Sequence, residues 1–222
     1  METSIYEKVD RYIEDLLGQE DESLRAAATF TESSKLPPIS ITANQGKLLQ
    51  VMAMACGAKR ILEIGTLGAY STIWLAKALP SDGKIISLEY DPKHADVAKT
   101  NIKNAGLSSQ VEVRIGKALD LLPLIEKEKL PPFDMIFIDA DKQPYTEYFD
   151  WAVKLGRPGA VIIADNVIRA GRVLNPDTEE ESAQGVQRMN KMLSGRKDVT
   201  ATIIQNVGSK EHDGMAIAVI NK

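Results

Sequence analysis

The chain has 222 residues, 44% of them hydrophobic, enough to bury a substantial core in a single α/β domain. A formal net charge of -4 excludes a general basic field and so gives no support to nucleic-acid binding, leaving room only for a local basic patch. The single cysteine, Cys56, excludes an intrachain disulfide, and no apolar stretch reaches membrane-spanning length.

The first residues, Met1 to Lys8, lack a basic segment followed by an apolar one, so a cytoplasmic location is expected. In chain order, a charged amphipathic helix is predicted over Ile5–Leu17 and a short one over Glu22–Thr29. Lys35-Leu36-Pro37-Pro38 breaks the pattern. A helix over Asn44–Cys56 follows, with Cys56 read as a small core hydrophobe. From there the chain alternates: strand Arg60–Ile64, helix Ser71–Leu79, strand Lys84–Leu88, then a helix from Asp91-Pro92 to Asn104. Strand Val111–Ile115, helix Ala118–Glu126, strand Phe133–Ile138, helix Tyr145–Leu155 and strand Ala160–Ala164 continue the series. A polar loop leads to a helix over Glu179–Leu193, with Asp177 to Glu181 as its acidic amino end. Strands Val199–Ile204 and Met215–Ile220 have no helix between them and should pair antiparallel at one edge. Alternating strands and helices predict a Rossmann-like α/β fold: a seven-stranded, mostly parallel sheet with helices on both faces and an antiparallel last strand. One domain should span 1–222, with 1–43 as an amino-terminal helical extension. Trp74 and Trp151 read as packing residues, and His94 and His212 as surface residues too far apart for a histidine metal site.

Two strand ends carry the chemistry. Asp139 follows Met135–Ile138, and Asp165-Asn166 follow Ala160–Ile163. Open α/β sheets collect ligands outside the carboxyl ends of their strands, so two carboxylates and an amide oxygen converge. Hard oxygen donors select Mg²⁺, Mn²⁺ or Ca²⁺. A plain reading stands beside this one, in which these residues only cap a turn and a helix.

A glycine loop, Gly65-Thr66-Leu67-Gly68, links the first strand to its helix, whose amino end offers free N–H groups. Glu89 ends the second strand, where an acid commonly accepts both hydroxyls of a ribose. A dinucleotide and S-adenosylmethionine both fit such a loop. Leu67 occupies the second glycine position of the dinucleotide fingerprint, and Glu63 would repel a pyrophosphate while favouring the cationic amino-acid end of S-adenosylmethionine. A tight turn beside a solvated acid is the plain alternative.

These residues resemble the cation-dependent class I O-methyltransferases, the caffeoyl-CoA and catechol O-methyltransferase group, from about Asn44 to the carboxyl end. The matching motifs are Gln45-Gly46, Leu62-Glu63-Ile64-Gly65-Thr66 with Tyr70-Ser71-Thr72, Phe133-Asp134 with Phe137-Ile138-Asp139-Ala140-Asp141-Lys142, Asp165-Asn166, and Asp213-Gly214. The resemblance implies a divalent metal, Mg²⁺ or else Mn²⁺ or Ca²⁺, on Asp139, Asp165 and Asn166. It implies S-adenosylmethionine contacts from Ile41, Glu63, Gly65, Thr66, Ser71, Glu89, Ala118, Asp139 and Asp141. The implied reaction methylates a hydroxyl of a catechol-like phenol.

A neutral phenol is a poor nucleophile, so Lys142 is the candidate general base, its pKa expected to fall beside a cation. The plain reading of Lys142 is a surface lysine paired with Asp141. Tyr145 and Tyr148 could line an acceptor pocket or pack in the core. Ala69 stands where the family usually has its second glycine, and its methyl is expected to tighten the pocket. Arg169 to Asp177 carry no readable acceptor pattern. Transfer RNA with a hydroxylated uridine is the alternative acceptor, while a nicotinamide-dependent oxidoreductase and a silent binding module are the competing classes. The amphipathic first helix suggests a homodimer, as is common in the resembling family.

Overall fold

The computed structural model describes residues 4–208, 210 and 212–222. The start of the segment read for a leader, 1–3, and two positions in the last strand connection, 209 and 211, lie outside the described residues.

Seven strands form one sheet: β1 (Arg60–Ile64), β2 (Lys84–Glu89), β3 (Val111–Ile115), β4 (Phe133–Ile138), β5 (Gly156–Asp165), β6 (Val199–Asn206) and β7 (Asp213–Ile220). Their order is β3-β2-β1-β4-β5-β7-β6. The first five are mutually parallel, and β7 runs antiparallel to both β5 and β6. β7 is inserted between β5 and β6, so β6, not the last strand, is the edge. Strand order reverses between β1 and β4, and the crevice at that reversal is where such sheets take ligands.

Helices α1 (Ile5–Leu16), α2 (Glu22–Ser33), α3 (Ala43–Ala55), α4 (Tyr70–Ala76), α5 (Pro92–Asn104), α6 (Ala118–Lys127), α7 (Tyr145–Leu155) and α8 (Glu181–Gly195) surround the sheet. Period-2 alternation divides the core. Leu62, Ile64, Ile136, Ile138 and Ile162 face Leu122 of α6, Phe149 of α7 and Met189 of α8. Ile61, Met135, Phe137 and Ile163 face Leu49 of α3 with Ile73 and Trp74 of α4. Burial on both faces explains why the strands read as continuous apolar runs. Trp74 is a packing residue as expected, and Trp151 is half-buried beside the core.

Local chemistry sets the helix starts. Asp91 accepts the N–H groups of Lys93 (2.7 Å) and His94 (3.3 Å), with Pro92 in the first turn of α5. Thr42 and Gln45 close a reciprocal capping box on α3. The Gln45 of the motif therefore starts a helix.

Several boundaries differ from expectation. α2 runs on to Ser33, while α4 stops at Ala76. β5 begins at Gly156, directly after α7, and its pairing with β4 slips where Pro158 cannot donate and Gly159 has φ +80°. The polar loop holds a 3₁₀ turn over Arg169–Leu174, and α8 starts at Glu181. Glu180 stands at the amino end of α8 as expected, in the N-cap position, and it also pairs with Arg169 (3.0 Å) and Arg172 (2.9 Å). Cys56 is half-buried and reduced, at the surface of the core it was expected to fill.

Candidate active site

The carboxyl ends of β1, β2 and β4 open into a pocket of about 790 Å³, a size suited to a cofactor together with a small acceptor. Gly65 makes the floor possible. Its N–H continues the ladder to the Leu88 carbonyl (2.9 Å), its φ is +100°, and a Cβ there would collide with the Asp139 carbonyl oxygen. Asp139 in turn donates its N–H to Ile64 (2.9 Å). The glycine loop and Asp139 are thus held against each other.

Of the residues expected at the site, Ile41, Gly65, Thr66, Ser71, Glu89, Ala118, Asp139, Asp141, Lys142 and Asn166 line the pocket. Glu63 and Asp165 do not; both lie behind its wall. Glu63 is fully buried and accepts hydrogen bonds from Ser71 (2.6 Å), Thr72 (2.5 Å) and Ser87 (2.6 Å). Burial pushes its pKa up to about 7 against the pull of those three hydroxyls. Glu63 reaches the pocket through Ser71 directly and through Ser87, whose hydroxyl meets that of Thr66 (2.6 Å). Glu89 does touch the pocket, and it also shapes the loop. One oxygen accepts the N–H groups of Thr66 (3.2 Å) and Leu67 (2.8 Å), and the other accepts that of Asp91 (2.9 Å).

Ala69 corrects the sequence expectation. It adopts the left-handed conformation, with φ 63°, and its methyl packs with Ala98 and Ile102 in the core, away from the pocket. The glycine beside it is fixed by crowding: a Cβ on Gly68 would strike the Thr31 side chain. Asn101 locks that approach by donating to the Gly68 carbonyl (2.9 Å) and to Thr31 (3.1 Å).

At the acidic end, Lys142 donates to Asp139 Oδ1 (2.8 Å) and to the Tyr145 hydroxyl (2.5 Å), and only 9% of the lysine is exposed. Asp139, not Asp141, is its partner. Asp141 instead accepts the Tyr148 hydroxyl at 2.7 Å. Tyr145 is fully buried and donates its hydroxyl hydrogen bond to the Asp165 carbonyl oxygen (3.0 Å), so it supports Lys142 from below. Of Tyr145 and Tyr148, it is Tyr148 that lines the pocket.

Asp165 is nearly inaccessible, and Asn166 after it has φ 58°, a left-handed conformation that asparagine tolerates. Burial, then the neighbouring charge of Asp139, pushes Asp165 up to about 7. Among the described residues no three of His, Cys, Asp and Glu gather as a metal-holding group. The candidate donors are two carboxylates and an amide. In kind they fit a hard cation: the charge of Asp139 raises the pKa of Asp165, and every candidate donor atom is oxygen.

Sequence reasoning missed several wall residues. His94, expected at the surface, lies in the wall with its Nδ1 3.6 Å from Glu89. Its place on the first turn of α5, below Asp91, was the available signal. Tyr90, Lys117 and Leu119 also line the pocket, each adjacent to a residue already singled out. Arg169, in the segment with no readable pattern, lines it too.

The sequence profile described as O-methyltransferase matches residues 14–219. The chain belongs to the O-methyltransferase family. A catechol O-methyltransferase of Niastella koreensis is 57% identical over 220 residues, covering 99% of this chain and all of that protein. A Bacillus cereus O-methyltransferase solved with S-adenosylhomocysteine superposes with TM-score 0.95 at 47% identity, covering 97% of this chain and 98% of the other. The O-methyltransferase TomG of Streptomyces achromogenes, from tomaymycin synthesis and solved with S-adenosylmethionine, gives TM-score 0.95 at 46% identity over all of both chains. This O-methyltransferase therefore uses S-adenosylmethionine as its donor, and its fold is that of the structures solved with that donor and its product. Among the described residues no helix is long and apolar enough to cross a membrane.

Proposed function

We propose that the protein methylates one hydroxyl of a catechol-like phenol with help from a divalent cation, Mg²⁺ first among the candidates. The observation that carries this reading is the Asp139–Lys142 pair, 2.8 Å apart on the wall of a pocket it shares with Asn166 and Glu89. The name of the Niastella koreensis relative supports the acceptor class.

Ile41, Gly65, Thr66, Ser71, Glu89, Ala118, Asp139 and Asp141 would hold S-adenosylmethionine, with Glu63 acting through Ser71. Asp139, Asp165 and Asn166 would hold the cation. When bound, these groups supply the activated methyl and a positive charge that lowers the pKa of the acceptor hydroxyl. The protein does the rest. Lys142, in its neutral form, takes the hydroxyl proton. The acceptor oxygen then forms a bond to the methyl carbon as the carbon–sulfur bond breaks, leaving a neutral thioether. Asp139 and Tyr145 hold the Lys142 amine in place and favour the ammonium that results. Burial of Lys142 keeps its four-carbon stem from wandering, so the amine meets the acceptor in one position.

We read the assembly as a homodimer formed through α1. No residue of α1 is buried, yet Ile5, Val9, Tyr12 and Leu16 repeat along one stripe and are all exposed.

The decisive test is methyl transfer from labelled S-adenosylmethionine to catechols, with Mg²⁺ and with a chelator. Mg²⁺-dependent product on a vicinal diol is the expected result. Product on transfer RNA alone would replace the acceptor, and no product on either would overturn the reading.

A further inference from the structure

No residue of α2 lines the pocket, yet this helix grips the glycine loop whose Thr66 and Leu67 do. Thr31, buried near the carboxyl end of α2, stands so close to Gly68 that a Cβ there would overlap its Oγ1 and Cγ2. Behind both sits Asn101 of α5, only 2% exposed. Its amide nitrogen donates to the Gly68 carbonyl (2.9 Å), to Thr31 Oγ1 (3.1 Å) and to the Ala27 carbonyl (3.3 Å). Two of these partners are carbonyls, which only accept, so the nitrogen end of the amide faces them. One side chain therefore ties α2, α5 and the loop together at a single point.

The loop has need of that tie. Leu67 has φ 50° and Ala69 has φ 63°, left-handed values that residues other than glycine adopt at a cost and keep only where their surroundings hold them. From the pocket side, Glu89 accepts the N–H groups of Thr66 and Leu67. From behind, Ala98 and Ile102 pack on Ala69 while Asn101 holds the Gly68 carbonyl. The other end of α2 is pinned to α4. Tyr70, the first residue of α4 and part of the pocket wall, donates to Glu20 (2.5 Å), and Lys77 at the end of α4 pairs with Asp21, the N-cap of α2.

We propose that Thr31 and Asn101 are positioning residues for donor binding. Neither lines the pocket. They act through Gly68, holding the loop in the shape that takes S-adenosylmethionine. Helix α2 is thereby part of the donor site, and affinity for the donor depends on how α2 sits. The proposal stands apart from the acceptor and the cation given under Proposed function, because its readouts need neither.

The test is calorimetry of S-adenosylmethionine and S-adenosylhomocysteine binding, with the melting temperature of each variant recorded beside it. Asn101→Ala frees the Gly68 carbonyl and should weaken donor binding about tenfold. Thr31→Val removes one of the three acceptors and should weaken it about threefold, whereas Thr31→Ser keeps the oxygen and should bind like the native protein. Gly68→Ala drives a methyl into Thr31 and should weaken binding tenfold or more. Adding Thr31→Ala to Gly68→Ala removes the two atoms in closest conflict and should recover affinity to about the Thr31→Val value. In the native protein, where no variant can misfold, S-adenosylhomocysteine should slow amide exchange across Glu22–Ser33, since coupling between loop and helix is reciprocal. Donor affinities unchanged in folded Asn101→Ala and Gly68→Ala, with only melting temperatures lowered, would reduce the tie to a stability role and overturn the proposal. A loss in Gly68→Ala that Thr31→Ala does not recover, or exchange in α2 that ignores the ligand, would remove α2 from the donor site.

Discussion

The Oδ1 atom of Asp213 accepts the backbone N–H of Arg169 at 3.0 Å, and the same atom accepts the N–H groups of Ile168 (3.0 Å) and Gly214 (2.9 Å). One carboxylate oxygen at the start of β7 therefore organises the turn that leaves β5. That turn contains Asn166, Arg169 and Ala170, all with positive φ. Such a run of left-handed residues is costly and persists only when its surroundings over-determine it. Asp213 supplies that constraint. Asp213→Ala should release the turn, move Asn166, and lower kcat by about tenfold, the equivalent of losing one or two charge-assisted hydrogen bonds. Asp213→Asn keeps an acceptor oxygen and should keep most of the activity. The check is steady-state kinetics of both variants with Mg²⁺ titrated. Equal loss in both would assign Asp213 to charge and not to turn geometry.

Lys142 is the candidate base, and its role separates from donor binding. Lys142→Ala should reduce turnover by about 10²–10⁴-fold, the range for removal of a general base. Affinity for S-adenosylmethionine, measured by calorimetry, should stay within a few-fold, since Glu89, Ser71 and Thr66 are untouched. Unchanged turnover would remove Lys142 from the mechanism.

Asp165→Ala should abolish both activity and any response to added Mg²⁺. The variant also removes a buried carboxylate whose pKa burial and Asp139 have raised to about 7, so the fold should not suffer from an orphaned charge. Circular dichroism with metal titration followed by fluorescence separates the two effects. Mg²⁺-dependent turnover in a folded Asp165→Ala protein would refute the ligand assignment.

The sheet was legible because strands buried on both faces, such as Phe133–Ile138, leave unbroken apolar runs between clear turn residues. Asp91-Pro92 and Thr42-Ala43-Asn44-Gln45 announced their helices because capping is a local interaction. The pocket wall near Asp139, Lys142 and Asn166 was legible because strand ends carry it. What the sequence hid depends on long-range contact. Nothing in one dimension shows that Thr31 crowds Gly68, that Ala69 turns its methyl to Ala98, or that Lys210 reaches Ser40. Glu63 was placed in the pocket on its charge and on the family resemblance, and only packing shows Ser71 standing between. The insertion of β7 between β5 and β6 is equally invisible, since a hairpin docks on a sheet edge by either strand.

If α1 joins two copies, charge in its apolar stripe should separate them. Val9→Glu combined with Tyr12→Glu puts two carboxylates among Ile5, Ile13 and Leu16. Sedimentation velocity should show the native protein at twice the chain mass and the variant at one. A native protein already monomeric at micromolar concentration would dismiss the dimer.

Glu63 makes a pH-dependent contribution to stability whose sign can be worked out. Burial raises its native pKa from 4.5 to about 7. Below about pH 4.5 the carboxyl is neutral in both native and unfolded chains. Between there and 7 the unfolded chain releases a proton that the native state retains, so the native state binds more protons and stability falls as pH rises. The full shift corresponds to a cost on the order of 3 kcal/mol above pH 7, because each pKa unit is worth about 1.4 kcal/mol. Asp165 slopes in the same direction, so the native curve alone is ambiguous. The difference between native protein and Glu63→Gln isolates the group. Of the three hydroxyls of Ser71, Thr72 and Ser87, one can donate to the Gln carbonyl oxygen while the other two rotate to accept from its amide. Melting temperatures of the donor-free proteins, taken from pH 5 to 7.5, should decline more steeply for the native chain than for the variant. Parallel curves would mean that Glu63 stays ionised throughout, its three hydroxyl donors outweighing the loss of water.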